Sequence, residues 1–79
     1  LRVAASSVEP WHPITAREYE VAMLVASGLT NREIAAELVL APKTVSAHVE
    51  HILAKLGASR RTEIAAWAAR IKDDRRVSL

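Results

Sequence analysis

The chain has 79 residues, enough for one small domain, and a formal net charge of +2. Apolar residues make up 51% of it, and with one tyrosine and no phenylalanine the core must be largely aliphatic. The chain has no cysteine, which excludes disulfides and thiolate metal sites and fits a cytoplasmic protein. No apolar run approaches the roughly 18 residues of a membrane span, and no signal peptide is recognisable.

The positive charge is concentrated in the second half of the sequence. Residues 1–40 contain three arginines and five glutamates, whereas residues 41–79 contain eight basic and four acidic residues. Basic residues clustered around one helix are typical of a phosphate-binding surface. A chance asymmetry in a small protein is the alternative, so charge alone does not assign a function.

We predict that the folded domain covers residues 14–72, between a linker at residues 1–13 and a charged tail at residues 73–79. The first segment lacks helical periodicity and contains two prolines and two serines. Within it, Trp11 is a candidate contact with the domain. Because the chain begins with Leu rather than Met, we expect a longer parent protein with a further domain upstream.

The first helix is predicted over residues 16–27 and begins with a capping box. In this motif the hydroxyl of the cap residue accepts a backbone N–H, and a carboxylate accepts the cap residue's own N–H in return. Thr15 and Glu18 stand at the required spacing. Gly28 follows, at a position where helices commonly end in a left-handed residue. The inward-facing residues should be Val21, Leu24 and Val25.

The second helix is predicted over residues 31–39 and also begins with a capping box, formed by Thr30 and Glu33. It is so short that packing, rather than helix propensity, must stabilise it. The inward-facing residues should be Ile34, Ala35 and Leu38.

The third helix is predicted over residues 42–56, between Pro42 and Gly57. Proline suits the first helical position because its missing N–H has no partner there, and glycine suits a helix end. Ala41 at the N-cap has no side-chain oxygen, which costs about 1 kcal/mol relative to serine. One face carries an apolar stripe at helical spacing, made of Val45, Val49, Ile52, Leu53 and Leu56.

The opposite side of the third helix is slim and polar, with small residues between polar ones. A helix that enters the DNA major groove needs such a side, because the groove is only about 12 Å wide. An ordinary amphipathic helix with a few surface alanines is the alternative explanation. The residues of this side are Lys43, Ala47, Glu50 and Ala54, flanked by Ser46 and His51.

The fourth helix is predicted over residues 60–72, with Ser59 as its N-cap. Its inward stripe should contain Ile64, Trp67, Ala68 and Ile71. Another side carries alanines, which form either a neutral surface or a seam against a second copy of the chain. We favour the seam, since a homodimer would double the groove contacts. The candidate dimerisation residues are Ala65, Ala66 and Ala69.

Together these elements predict an all-α fold, a four-helix bundle whose second and third helices form a helix-turn-helix. In that motif one helix lies across the DNA backbone while the other enters the major groove.

Six short segments carry a more specific pattern. They are Ile14–Val21, Gly28–Ala35, Lys43–Val45, His48–Val49, Ile52–Gly57 and Arg61–Glu63. Together they resemble the LuxR-type helix-turn-helix domain, also called the LuxR/GerE or NarL/FixJ family, over residues 14–71. The resemblance implies sequence-specific binding of double-stranded DNA by the third helix and dimerisation through the fourth. It also implies the C-terminal effector domain of a bacterial transcriptional regulator, such as a response regulator.

The predicted phosphate contacts lie near the start of the third helix. Lys43 and Thr44 should hold phosphate together with N–H groups at the helix N-terminus, and Asn31 is a candidate contact with the same DNA backbone. Lys55 and Arg61 are either peripheral phosphate contacts or solvated surface residues.

The predicted base contacts are Ser46 by hydrogen bond, Ala47 against a thymine methyl group, and Glu50 toward cytosine N4. The family frequently has larger or basic residues at these positions. Glu50 therefore either accepts a hydrogen bond from cytosine or repels phosphate. His48 is expected to pack at the edge of the apolar stripe, and His51 to face solvent or the groove rim.

Other functions compete with DNA binding. A protein-interaction module on the same fold, with weak or lost DNA binding, is favoured by Glu50 and the small net charge. A sigma-factor region-4-like module is the nearest rival among DNA binders, but the alanine-rich fourth helix argues against it. An enzyme has little support, because the chain lacks cysteine and a Gly-rich phosphate loop.

We expect no cofactor, and the pair His48 and His51 lacks a third metal ligand. RNA polymerase is an open candidate partner besides DNA and a second copy of the chain.

Overall fold

The computed structural model describes residues 14–77, with side chains described for residues 14–72. The predicted linker, including Trp11, lies outside the described residues. Four helices occupy the described range and no strand does, which confirms the all-α prediction. None of these helices is both long and apolar enough to span a membrane. They are α1 (Ala16–Ala26), α2 (Asn31–Leu38), α3 (Pro42–Leu56) and α4 (Arg61–Val77).

Both predicted capping boxes are present. The Thr15 hydroxyl accepts from the Glu18 N–H at 3.1 Å, and Glu18 Oε1 accepts from the Thr15 N–H at 3.0 Å. The matching distances at Thr30 and Glu33 are 3.2 and 2.8 Å. The first two helices therefore begin where the sequence predicts, because the signal is contained within four consecutive residues.

An aliphatic core lies between the four helices. Helix α1 packs mainly against α4 and also contacts α3, while α2 packs mainly against α3. The predicted apolar stripes all face inward, although their larger outer members are only half-buried. The buried apolar residues of the core are Ile14, Val21, Ala22, Val25, Ile34, Ala35, Val45, Val49, Ile52, Ile64 and Ala68.

The turn between α2 and α3 contains a left-handed valine. Helix α2 ends at Leu38, one residue before the predicted end, because Val39 adopts φ 56° and ψ 52°. A β-branched residue rarely takes this conformation, which crowds its Cβ against the following carbonyl oxygen. The Val39 side chain is 88% exposed, so packing does not compensate for the strain. Ala41 provides no side-chain cap for α3, as predicted.

Helix α4 differs from the prediction at both ends. It begins at Arg61, so Ser59 is not its N-cap. Instead, Glu63 Oε1 accepts from the backbone N–H groups of Ser59 and Arg60, both at 2.9 Å. These bonds lower the pKa of the Glu63 carboxyl. The helix also continues beyond Lys72 into the segment predicted to be a charged tail, because charged residues without proline or glycine permit a helix to extend.

An ion pair with a buried carboxylate links α1 to α3. Lys55 Nζ lies 2.7 Å from Glu18 Oε1, and the Glu18 side chain is only 7% exposed. Burial raises the pKa of the Glu18 carboxyl, but the hydrogen bonds from Lys55 and Thr15 outweigh it, so the pKa lies below its ordinary value of 4.5. The side chain that caps α1 thus also anchors α3.

Replacing Val39 with glycine should raise the free energy of unfolding by about 1 kcal/mol, because glycine adopts the left-handed conformation without strain. Chemical denaturation with circular dichroism measures the change. Gly57→Ala is the matched control: φ is 66° and an added Cβ meets no atom within 4 Å, so it should destabilise the fold by about 1 kcal/mol. A Val39→Gly variant less stable than the parent chain would contradict the strain argument.

Replacing Glu18 with glutamine keeps a capping side chain but removes the charge that pairs with Lys55. The free energy of unfolding at pH 7 should fall by on the order of 1–3 kcal/mol. Since the folded-state pKa of Glu18 is lowered, its contribution is present above the unfolded pKa and is lost as pH falls through the folded value. Denaturation measured from pH 7 to pH 3 should therefore show a flatter pH dependence in Glu18→Gln.

The control is Glu20→Gln. Glu20 pairs with Arg17 at 3.3 Å, but both side chains are about half exposed. This change should alter stability by less than about 0.5 kcal/mol. Equal losses in the two variants would mean that the Glu18–Lys55 pair has no special role.

Candidate nucleic-acid interface

The slim side of α3 is exposed, as the sequence predicts. The apolar stripe packs against the other helices: Val45 and Ile52 have no exposed surface, and Leu53 and Leu56 are half-buried. A continuous outward face remains, with small side chains at its middle. We call this surface the α3 face; its members, all exposed, are Lys43, Thr44, Ser46, Ala47, Glu50, His51 and Ala54.

The N-terminus of α3 is open at one end of this face. Ala41 offers no side-chain acceptor, and Pro42 has no N–H. The N–H groups of Thr44 and Val45 are bound to the carbonyl of Ala41, at 2.9 and 3.1 Å. Among residues 14–72 the backbone N–H of Lys43 has no acceptor, and it lies at the positive end of the helix dipole in an exposed residue that also carries an ammonium group. Such an arrangement attracts an anion such as phosphate.

A chain of hydrogen bonds connects α4, α2 and α3 beside the α3 face. Arg61 donates through Nη1 to Asn31 Oδ1 and through Nη2 to the Leu29 carbonyl, both at 2.6 Å. Asn31 in turn donates through Nδ2 to Ser46 Oγ at 3.2 Å. We call this set the Arg61–Asn31–Ser46 chain. It connects three residues that the sequence analysis proposed, each separately, as DNA contacts.

Two predicted phosphate-binding cations have partners inside the protein. Arg61 is half-buried and holds the N-terminus of α2, and the Lys55 ammonium group lies against Glu18. Lys55 is nevertheless exposed as a residue, whereas Arg61 is half-buried. Their positive charges are directed at oxygen atoms of this domain, and a peripheral phosphate contact by either residue stays a prediction.

Glu50 and the two histidines of α3 differ in their surroundings. Glu50 is exposed and forms no ion pair within residues 14–72, so both of its predicted roles stay open. His48 is half-buried at the edge of the apolar stripe, whereas His51 is exposed. Across residues 14–72, no group of three His, Cys, Asp or Glu side chains is placed to hold a metal ion.

The alanines proposed as a dimerisation seam lie on α4. Ala66 and Ala69 are exposed, and Ala65 is half-buried against the core. Trp67 lies nearby with its ring edge-on to Tyr19 at 6.2 Å between centroids. A second helix is thus able to approach α4 at Ala66 and Ala69, and the seam stays a prediction.

Sequence reasoning missed the bridging role of Arg61. Its partners Leu29 and Asn31 precede it by 32 and 30 positions. No local pattern separates an arginine that bridges two helix ends from one that faces solvent. The structure alone reveals that Arg61 orients Asn31.

Comparison with known proteins gives the family. The sequence matches the family described as "Bacterial regulatory proteins, luxR family" over residues 12–68, which is more than half of the chain. The chain belongs to this LuxR family. The predicted resemblance is thereby confirmed.

This LuxR-family domain is similar in sequence to named transcription regulators. It is 43% identical over 75 residues to the "DNA-binding transcriptional activator DevR/DosR" of Mycobacterium tuberculosis (strain ATCC 25618 / H37Rv), covering 95% of this chain and 35% of the relative. It is 43% identical over 70 residues to the "Transcriptional regulatory protein LiaR" of Bacillus subtilis (strain 168), covering 89% and 33%.

The fold also matches a solved structure. A crystal structure of the response regulator ChrA, from a heme-sensing two-component system, superposes with a TM-score of 0.69 and 37% identity. The match covers 89% of this chain and 35% of that chain. The LuxR-family domain thus spans about a third of the length of each of these three relatives.

Replacing Arg61 with alanine should lower the free energy of unfolding by roughly 1–3 kcal/mol, because it removes two charge-assisted hydrogen bonds and leaves the Leu29 carbonyl without this donor. Denaturation measures the loss. Arg60→Ala is the matched control, since Arg60 is exposed and its backbone bond to Glu63 remains. A change no larger than that of the control would show that the bridge is not stabilising.

Proposed function

We propose that this domain binds double-stranded DNA in a sequence-specific manner, with α3 in the major groove. The observation that carries the proposal is the outward α3 face, which has small side chains at its middle, as a helix in the groove requires, and a helix N-terminus without a side-chain cap at one end. Membership of the LuxR family and the names of the relatives DevR/DosR and LiaR support it.

In the proposed complex, the start of α3 lies against the DNA backbone. Lys43 supplies an exposed ammonium group, Thr44 a hydroxyl, and the helix N-terminus an N–H group, so that phosphate oxygens are neutralised and positioned. Asn31 lies at the first position of α2 and is a further candidate phosphate contact. These contacts fix the register of the helix but do not select a sequence.

Sequence selection comes from the middle of the α3 face. Ser46 is placed to form a hydrogen bond with a base, Ala47 to contact a thymine methyl group, and Glu50 to accept from cytosine N4. Small side chains at the first two positions let the backbone of α3 approach the groove floor closely.

We further propose that the domain is the C-terminal effector of a longer bacterial transcription regulator and that it acts as a dimer through α4. The match covers only 35% and 33% of the two named regulators, which supports a further domain in the longer protein. The exposed Ala66 and Ala69 support close approach of a second α4, and a dimer would contact two half-sites of an inverted repeat. RNA polymerase is a candidate partner once the dimer is bound.

The second candidate function is a protein-interaction module. Glu50 favours it, because a carboxylate at the centre of the α3 face that has no ion-pair partner within residues 14–72 would repel phosphate. The two functions differ in whether DNA is retained at low salt.

A selection against random duplex DNA at about 50 mM and about 200 mM salt tests the proposal. We expect an enriched inverted repeat whose retention drops steeply at the higher salt, because phosphate contacts release counterions. Retention without enrichment would restrict the function to phosphate binding. Absence of retention at both salt concentrations would favour the protein-interaction module.

Two variants in the same selection assign the roles on the α3 face. Lys43→Ala should weaken binding to all sequences and lower the salt slope by about one phosphate contact. Lys72 is an exposed cation near the far end of the described chain, so the control Lys72→Ala should leave that slope nearly unchanged.

Glu50→Ala should alter the preferred base if Glu50 contacts cytosine, whereas uniformly tighter binding would show that Glu50 only repels phosphate.

A further inference from the structure

Arg61 determines which atoms donate and which accept along the Arg61–Asn31–Ser46 chain. A guanidinium group has only donors, so the Asn31 atom that Arg61 Nη1 meets at 2.6 Å must be the amide oxygen. The amide nitrogen then faces Ser46, at 3.2 Å from Oγ. Because the amide nitrogen is only a donor, the Ser46 oxygen must be the acceptor.

The Ser46 hydroxyl proton is consequently available to a third group. Within residues 14–72, Ser46 Oγ donates to no other atom, although a helical serine often donates to the carbonyl of the preceding turn. Ser46 is exposed on the α3 face. Accepting from Asn31 occupies one of the two lone pairs of Oγ and strengthens the hydroxyl as a donor, so a ligand meets it mainly as a donor.

We infer that Asn31, held by Arg61, biases Ser46 toward donating and thereby disfavours cytosine at the base that Ser46 contacts. In the major groove guanine offers N7 and O6 as acceptors, adenine N7, and thymine O4, whereas cytosine offers only the N4 amino donor. Asn31 thus acts as a positioning residue through Ser46. This inference rests on the proposed function, since it requires α3 to lie in the major groove.

The same geometry indicates how to reverse the preference. In an Asn31→Asp variant, one carboxylate oxygen accepts from Arg61 and the other accepts from the Ser46 hydroxyl. The Ser46 proton then points inward and its lone pairs face the base. Ser46 becomes an acceptor for cytosine N4 or adenine N6. Aspartate is well suited to the first turn of α2, where the helix dipole favours a negative charge.

The test is the duplex selection at low salt, carried out with the parent chain and a set of variants. Ser46→Ala identifies the position that Ser46 contacts, as the position where base preference is lost. At that position the parent chain should disfavour cytosine by about three- to tenfold, the effect of one hydrogen bond. Asn31→Asp should turn this into a preference for cytosine or adenine, and Asn31→Ala, which frees the hydroxyl to rotate, should leave only a weak preference.

Two controls separate this effect from charge and folding. Arg32→Gln removes one positive charge next to Asn31 on the exposed side of α2, so it matches the charge change of Asn31→Asp and should weaken binding without altering base preference. In a Ser46→Ala background, Asn31→Asp should have no effect on the preference at the Ser46 position. Thermal unfolding verifies that each variant is folded; if Asn31→Asp is not, Asn31→Ala decides.

The outcomes distinguish the inference from the proposed function. A parent chain that enriches no sequence overturns the proposed function, and the inference with it. A parent chain that enriches a site but tolerates cytosine opposite Ser46, or keeps its preference in the folded Asn31 variants, overturns the inference alone. A change of preference that persists in the Ser46→Ala background also overturns it.

Discussion

The structure depends on the burial of one aliphatic stripe on α3. Val45, Val49 and Ile52 pack against the other helices, and two of the three have no exposed surface. Full burial of such a side chain stabilises a fold by roughly 1.5–3 kcal/mol. With no cysteine in the chain to form a disulfide, these contacts orient α3. Because helical geometry places the stripe on one side, the small and polar residues of the opposite side face outward.

Polar contacts then fix how the helices meet. The capping boxes define where α1 and α2 begin, the Glu18–Lys55 pair joins α1 to α3, and the Arg61–Asn31–Ser46 chain joins α4, α2 and α3. Glu18 has two roles, since it both caps α1 and pairs with Lys55. The positive charges of Lys55 and Arg61 are thereby paired with oxygen atoms of the domain itself. On the α3 face, Lys43 is the exposed lysine.

The proposed function follows from what remains on that face. In the proposed complex the phosphate contacts are concentrated at the N-terminus of α3, while the middle of the face has short side chains and one carboxylate. A surface of this kind has a modest electrostatic attraction for DNA and depends on hydrogen-bond polarity for selectivity. The inferred donor role of Ser46 is then as important as its position, and that role depends on Asn31 of α2.

The sequence by itself determined the four helices, the caps of α1 and α2, the inward stripes, the outward face of α3 and the family. These features depend on residues three or four positions apart, or on a linear motif, so they are visible without the fold. It did not determine the left-handed Val39 or the extension of α4 past Lys72, since neither has a distinctive local signal. Only the tertiary structure decided the roles of Lys55 and Arg61, whose partners are 37 and 30 positions away. A lysine or arginine at a helix surface has the same local pattern whether it meets water, phosphate or a buried oxygen, and only packing brings the distant partner to it.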